Sequence, residues 1–218
     1  MTLNGPRAAV LWVQKSRISE RRAAAIAPER GLPSAVAATI IRAVHTNFSS
    51  GFEMTIEVRD ASVGDLAGCH RCLDAVAKEA RWLSRLSAPP IERYTAFVAG
   101  LREANAPQVV AVDSEVVGWC DITPDASPVR AHVGSLGMGL LATHRGQGLG
   151  RRLLTLAIDR ARERELERIE LSVLHDNDAA RALYERLGFQ IEGRRIRDWR
   201  RDGVYRDSIL MALNFVHR

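Results

Sequence analysis

No apolar run in the 218 residues approaches the roughly 18 that a membrane-spanning helix needs, so no such helix is expected. Cysteine is equally scarce. Cys69, Cys72 and Cys120 are too few for a disulfide scaffold, and a reducing, cytoplasmic setting is expected. Cys69-His-Arg-Cys72 has the C-x-x-C form, but a zinc site needs four ligands and there is no second pair. The two thiols read as core packing beside an apolar helical face, and no metal is expected. The net charge of +5 is also unevenly spread. Residues 1–53 hold seven Lys/Arg against three Glu, a charge of +4, which leaves +1 for everything after them. A basic nucleic-acid-binding face is therefore not expected of the main domain.

The same first 53 residues lack strong hydrophobic periodicity; only Ser34–Val44 is apolar enough for a short helix. Three readings stay open for 1–53: a structural appendage, an Arg-rich targeting segment, or a dispensable extension upstream of a natural start at Met54. The domain is expected to run over 54–218.

What is present from Met54 onward is an ordered series of elements. Thr55–Arg59 alternates as a strand. Ser62-Val-Gly-Asp65 has the form of a capping box, and Leu66, Cys69, Leu73, Val76 and Ala80 continue as one apolar helical face. A second helix follows Pro89-Pro90, over Ile91–Ala104. Gln108–Val112 and Val116–Ile122 read as a hairpin turning at Asp113-Ser-Glu115. A longer strand over His132–Leu141 precedes a helix marked by Leu149, Leu153 and Leu156. Ile169, Leu171 and Val173 alternate as a strand, and a helix spans Asp178–Leu187, ended by Gly188. Strands around Phe189–Arg195 and Tyr205–Leu213 close the chain. The order β-α-α-β-β-β-α-β-α-β-β predicts an α/β (α+β) domain: one mixed central sheet flanked by about four helices.

Between the longest strand and its helix lies Leu140-Leu-Ala-Thr-His-Arg-Gly-Gln-Gly-Leu-Gly150. Gly146, Gly148 and Gly150 let the backbone turn sharply at a helix N-terminus, where free N–H groups and the helix dipole favour an anion. Arg145, Arg151 and Arg152 add positive charge. A Walker loop would need Gly-Lys-Ser/Thr, and here Gly150 is followed by Arg151-Arg152. A dinucleotide fingerprint would need G-x-G-x-x-G and an acidic residue after the next strand, and both are missing. A glycine turn without a ligand is the remaining alternative on these residues alone.

Arg145-Gly-Gln-Gly-Leu-Gly150 resembles the acetyl-CoA signature R/Q-x-x-G-x-G/A of the GNAT superfamily. Asn177-Asp-Ala-Ala-Arg-Ala-Leu-Tyr-Glu-Arg-Leu-Gly-Phe189 resembles its second motif, N-x-x-A-x-x-L-Y-x-x-x-G-F, at every specified position. The resemblance covers about Thr55–Leu213 and implies the GNAT fold and an acetyl-CoA-dependent N-acetyltransferase. It implies that backbone groups at Met138 and Leu140 pair with the pantetheine arm. The stretch Arg145, Gly146, Gln147, Gly148, Leu149, Gly150 and Arg151 would hold the pyrophosphate. Asn177 would contact pantetheine or a water, and Tyr184 would place its hydroxyl near the sulfur. Ala142 departs from the family, which commonly has Pro there. Homodimers are a family expectation; nucleic-acid and membrane partners are not expected.

Acyl transfer to an amine needs a neutral nucleophile and a thiol leaving group. Alkyl amines titrate near pH 10, so a base or a desolvating site must take a proton. Tyr184 is the candidate acid, with a core aromatic as its other reading. His132 is the candidate base, with His144, His175 and a water chain as competitors. The acceptor is expected to be a primary amine of a small molecule or amino acid. Protein N-termini or lysines, and a non-catalytic acetyl-CoA sensor, are the alternatives.

Overall fold

A computed structural model of the protein describes residues 56–215; the expected extension over 1–53 lies outside them. β1 (Glu57–Asp60) runs into a 3-10 turn at Val63–Asp65 and then α1 (Leu66–Lys78). The predicted capping box is the joint. The Ser62 backbone N–H and hydroxyl both donate to the Asp65 carboxylate at 2.7 Å, and Arg59 forks onto it at 2.7 and 2.9 Å. These donors hold Asp65 well below the usual carboxylate range, with Arg59 the strongest.

There follow α2 (Ile91–Glu103), β2 (Gln108–Asp113), β3 (Glu115–Pro124), β4 (Val133–Leu140), α3 (Leu149–Glu163), β5 (Arg168–Leu174), α4 (Asp178–Arg186), β6 (Gln190–Arg201) and β7 (Val204–Asn214). The strands form one sheet in the order β1-β2-β3-β4-β5-β7-β6. Every neighbouring pair is antiparallel except β4 and β5. The predicted element order and the single mixed sheet are both present.

Side chains alternate between the faces of a strand, which divides the sheet into two unlike surfaces. Cys120, Ile122, Leu136, Met138, Leu140, Ile169, Leu171 and Val173 share one face and are buried. α3 covers this face with Leu153, Leu154, Ala157 and Ala161, all fully buried. The opposite face carries Trp119, Asp121, Ser135, Gly137, Gly139, Glu170 and Ser172, which are mostly small or polar. α1 lies on this second face, where Gly68 packs so closely that a Cβ would stand 2.8 Å from Val116.

Two boundaries differ from expectation. Residues 196–204, expected to be a loose connection, are mostly strand: β6 and β7 meet at a two-residue turn, Asp202-Gly203, with φ of 50° and 79°. Asp-Gly is a favoured pair for this left-handed turn, a signal hidden in the sequence by the surrounding arginines. His132, expected to begin β4, sits in the preceding turn with its side chain exposed. Gly203→Ala should cost about 1 kcal/mol, because a Cβ resists positive φ. Urea unfolding would measure this, with acetyl-CoA affinity unchanged.

Candidate active site

β4 and β5 pair only at Val133–Arg168, Gly134–Ile169 and Ser135–Glu170. Past these three pairs the strands diverge. β4 continues to pair with β3 as far as Leu140, and β5 with β7 as far as Leu174. Backbone groups alternate sides along a strand, and on β4 the Val133 carbonyl and the following Leu141 N–H both bond towards β3. The groups of Leu136, Met138 and Leu140 therefore turn towards β5, into the wedge between the strands.

At the wide end of the wedge stands the glycine loop. Gly146 and Gly148 have φ of 75° and 77°, and Gly148 is the N-cap of α3. The first N–H engaged in the helix ladder is that of Arg152, which bonds the Gly148 carbonyl at 3.2 Å. Those of Leu149–Arg151 precede it at the dipole's positive end. Residues 146–148 are exposed, as are the side chains of Arg151 and Arg152. A diphosphate can reach this corner.

The Arg145 side chain does not reach it, which corrects its expected contribution of positive charge to the loop. The guanidinium turns inward, 2% exposed, and donates to the Glu79 carboxylate at 2.8 and 2.5 Å. Its Nε donates to the Leu140 carbonyl at 2.7 Å. Arg145 thus ties the loop to both the end of β4 and the end of α1. Gln147 is likewise spent within the loop, its Nε2 donating to the Thr143 carbonyl at 3.1 Å. His144 anchors the loop to the β2–β3 hairpin through Asp113 at 3.1 Å.

Across the wedge, β5 ends and Asn177 caps α4. Its side-chain oxygen accepts from the Ala180 N–H at 3.3 Å, while Nδ2 is buried without a partner among the described residues. Tyr184, about two helical turns further on, is 0% exposed and its hydroxyl is also without a partner among the described residues. Burial holds its phenol well above the ordinary range, with the neighbouring Cys120 adding to the effect. Cys120 is register-paired with Met138, which places Tyr184 against the middle of β4. Two buried, unmatched polar groups beside a backbone wedge fit a substrate that brings hydrogen-bonding groups with it.

Residues 74–189 match the model of the Acetyltransferase (GNAT) family. This chain belongs to the GNAT family. It is 31% identical to the L-methionine sulfoximine/L-methionine sulfone acetyltransferase of Pseudomonas paraeruginosa, over 74% of this chain and 95% of that enzyme. It is 32% identical to the L-amino acid N-acetyltransferase AaaT of Escherichia coli, over 48% of this chain and 65% of that enzyme. In structure it is similar to a phosphinothricin acetyltransferase from Sinorhizobium meliloti in complex with acetyl-CoA, at 19% identity and a TM-score of 0.69, covering 74% of this chain and 89% of that one.

Within this GNAT domain His132 does not belong to the wedge, which corrects its candidacy as base. It lies before β4 begins, roughly 26 Å along the strand from Leu140 at about 3.3 Å per residue. Its carbonyl accepts the N–H groups of Glu167 and Arg168, closing the narrow end. His175 contacts the Asp207 backbone, so neither competitor histidine is unengaged.

The second face carries a rim fastened by arginines of β6 and β7. Arg201 donates to the carbonyls of Ala80 and Leu83, the latter at 2.9 Å, and Arg206 donates to that of Arg81 at 2.9 Å and to Asp176. The β6–β7 hairpin thereby grips the α1–α2 connection, with Trp82 buried beneath Arg81. Half-buried on this face is Asp121, opposite Gly137; it stood unnoticed in the sequence because Trp119-Cys-Asp121 reads as ordinary strand alternation.

Arg145→Ala leaves the Glu79 carboxylate without its cation and should cost about 3 kcal/mol of stability, measured by chemical denaturation. Tyr184→Phe removes an unmatched buried hydroxyl and should leave the unliganded protein as stable or about 1 kcal/mol more stable. The same substitution should lower kcat roughly 10²-fold if the phenol serves as the acid, which steady-state kinetics would read.

Proposed function

We propose that this GNAT enzyme transfers the acetyl group of acetyl-CoA to the primary amine of a small, amino-acid-like acceptor. The observation that carries the reading is the wedge between β4 and β5, with its glycine-loop helix N-terminus and the unmatched Asn177 Nδ2 and Tyr184 hydroxyl.

Acetyl-CoA would lie with its pyrophosphate on the N–H groups from Gly146 to Arg151 and its pantetheine arm along Met138 and Leu140. Because the Leu140 carbonyl already accepts from Arg145, Met138 carries more of the pairing. Asn177 Nδ2 would meet the arm or a water held beside it. Tyr184, which burial keeps protonated, would donate to the departing sulfur. The acceptor would approach from the second face, under the rim of the α1–α2 connection and the β6–β7 hairpin. The names of the amino-acid N-acetyltransferase relatives support this class of acceptor. A cytoplasmic location follows the same reading, and no helix among the described residues is long and apolar enough to cross a membrane.

The test is thiol release from acetyl-CoA by the full chain, against amino acids, methionine derivatives, polyamines and peptides, with an amine-free control. Release with amino acids or their close analogues is expected. Release with peptides alone would move the acceptor to protein N-termini or lysines. No release from folded protein that still binds acetyl-CoA would favour a sensor.

A further inference from the structure

Asp121 is the unexplained charge on the acceptor face. It lies on β3 in the middle of the sheet, one strand from the wedge, and forms no ion pair among the described residues. The other acidic side chain on this part of the face, Glu170, is taken by Arg130 at 2.8 Å at the narrow end. Opposite Asp121 on β4 is Gly137, and the space a side chain would fill is occupied by the carboxylate: a Cβ there would stand 3.0 Å from Oδ2. Gly139 next along is covered by the Trp119 ring, 2.3 Å from where its Cβ would be. Glycine at both positions lets β3 side chains lean over β4 towards the wedge. Asp121 as a whole residue is half-buried.

We propose that the Asp121 carboxylate takes the proton from the acceptor ammonium. This rests on the acetyltransferase reading above and supplies the base that none of the three histidines provides. The carboxylate removes one proton from R–NH3+. The freed lone pair forms the bond to the acetyl carbon, and the C–S bond breaks with its electron pair going to sulfur. A second N–H proton, directly or by way of the Tyr184 hydroxyl, ends on that sulfur as the thiol. The proton on Asp121 then leaves to solvent. The products are the amide, free CoA and one proton.

The surroundings suit the task. Burial pushes Asp121 up to about 7, against the pull of hydrogen bonds from Thr123 and Trp119 and the charge of Arg85 in the α1–α2 connection. From the helices above it the facing groups are the Cys69 thiol and the Tyr94 phenol, both raised by burial and neutral at this pH; the adjacent Cys120 thiol is raised likewise. The Arg85 guanidinium would hold an acceptor's carboxylate while Asp121 takes its ammonium proton. A base must be ionised to act, so the rate should rise with pH through about 7.

The experiment is the pH profile of kcat/KM from pH 5.5 to 10 for the full chain, with Asp121→Asn and Thr123→Val beside it. The wild type should show an acidic limb near pH 7. Asp121→Asn should lose about 10²–10³-fold at pH 7.5 and lose that limb, then regain rate towards pH 10 as the amine deprotonates unaided. Its affinity for acetyl-CoA should match the wild type, which reports that it folds. Thr123→Val removes a hydrogen bond to the ionised form and should move the limb up by about half a pH unit. An Asp121→Asn profile parallel to the wild type, or a limb unmoved by Thr123→Val, overturns the proposal and leaves the acetyltransferase reading standing. Absence of thiol release from the wild type with every acceptor overturns both.

Discussion

The structure depends on a parallel strand pair that stops after three residues. Everywhere else neighbouring strands are joined by antiparallel ladders. Between β4 and β5 the ladder is abandoned past Ser135 and Glu170, and the exposed edges need another partner. An extended amide-bearing arm is such a partner, since it pairs with a strand edge through the same hydrogen bonds a strand would make. The unmatched Asn177 and Tyr184 beside that wedge are consistent with a site whose hydrogen bonding is completed by its substrate.

Holding a wedge open requires that its walls not collapse onto each other. At the narrow end, the His132 carbonyl takes two N–H groups and fixes where the pairing begins. At the wide end, Arg145 joins the last carbonyl of β4, its own loop and the end of α1 through Glu79. A buried guanidinium with all its bonds directed is a rigid fastener, because each donor would cost free energy if left unpaired. The signature arginine thus holds the glycine loop from within, while Arg151 and Arg152 stay exposed beside it.

The two faces of the sheet divide the labour. The apolar face, sealed by α3, excludes water from Tyr184 and holds its proton. The small, polar face keeps one carboxylate, Asp121, close to the wedge and without an ion-pair partner among the described residues. Glycines in β4 make the second face possible: Gly137 and Gly139 yield the space into which Asp121 and Trp119 lean. The rim above is fastened by arginines bonding main-chain carbonyls, which orders the α1–α2 connection without apolar packing at its surface.

The sequence by itself determined the element order, the glycine loop at a helix start and the Asn177–Phe189 motif. Each of these is written locally: periodicity, caps and glycines act within a few residues. The Asp202-Gly203 turn was written there too, but a run of arginines obscured the alternation around it. Only the tertiary structure decided which charges face the ligand and which face the protein. Arg145 and Arg151 look alike in sequence, yet Glu79, sixty-six residues away from Arg145, turns one inward and leaves the other exposed. His132 falls before β4 and Asp121 comes to lie opposite Gly137 for the same reason. A side chain's chemistry depends on which strand lies opposite and where pairing ends, and pairing is settled by contacts between residues far apart in the chain.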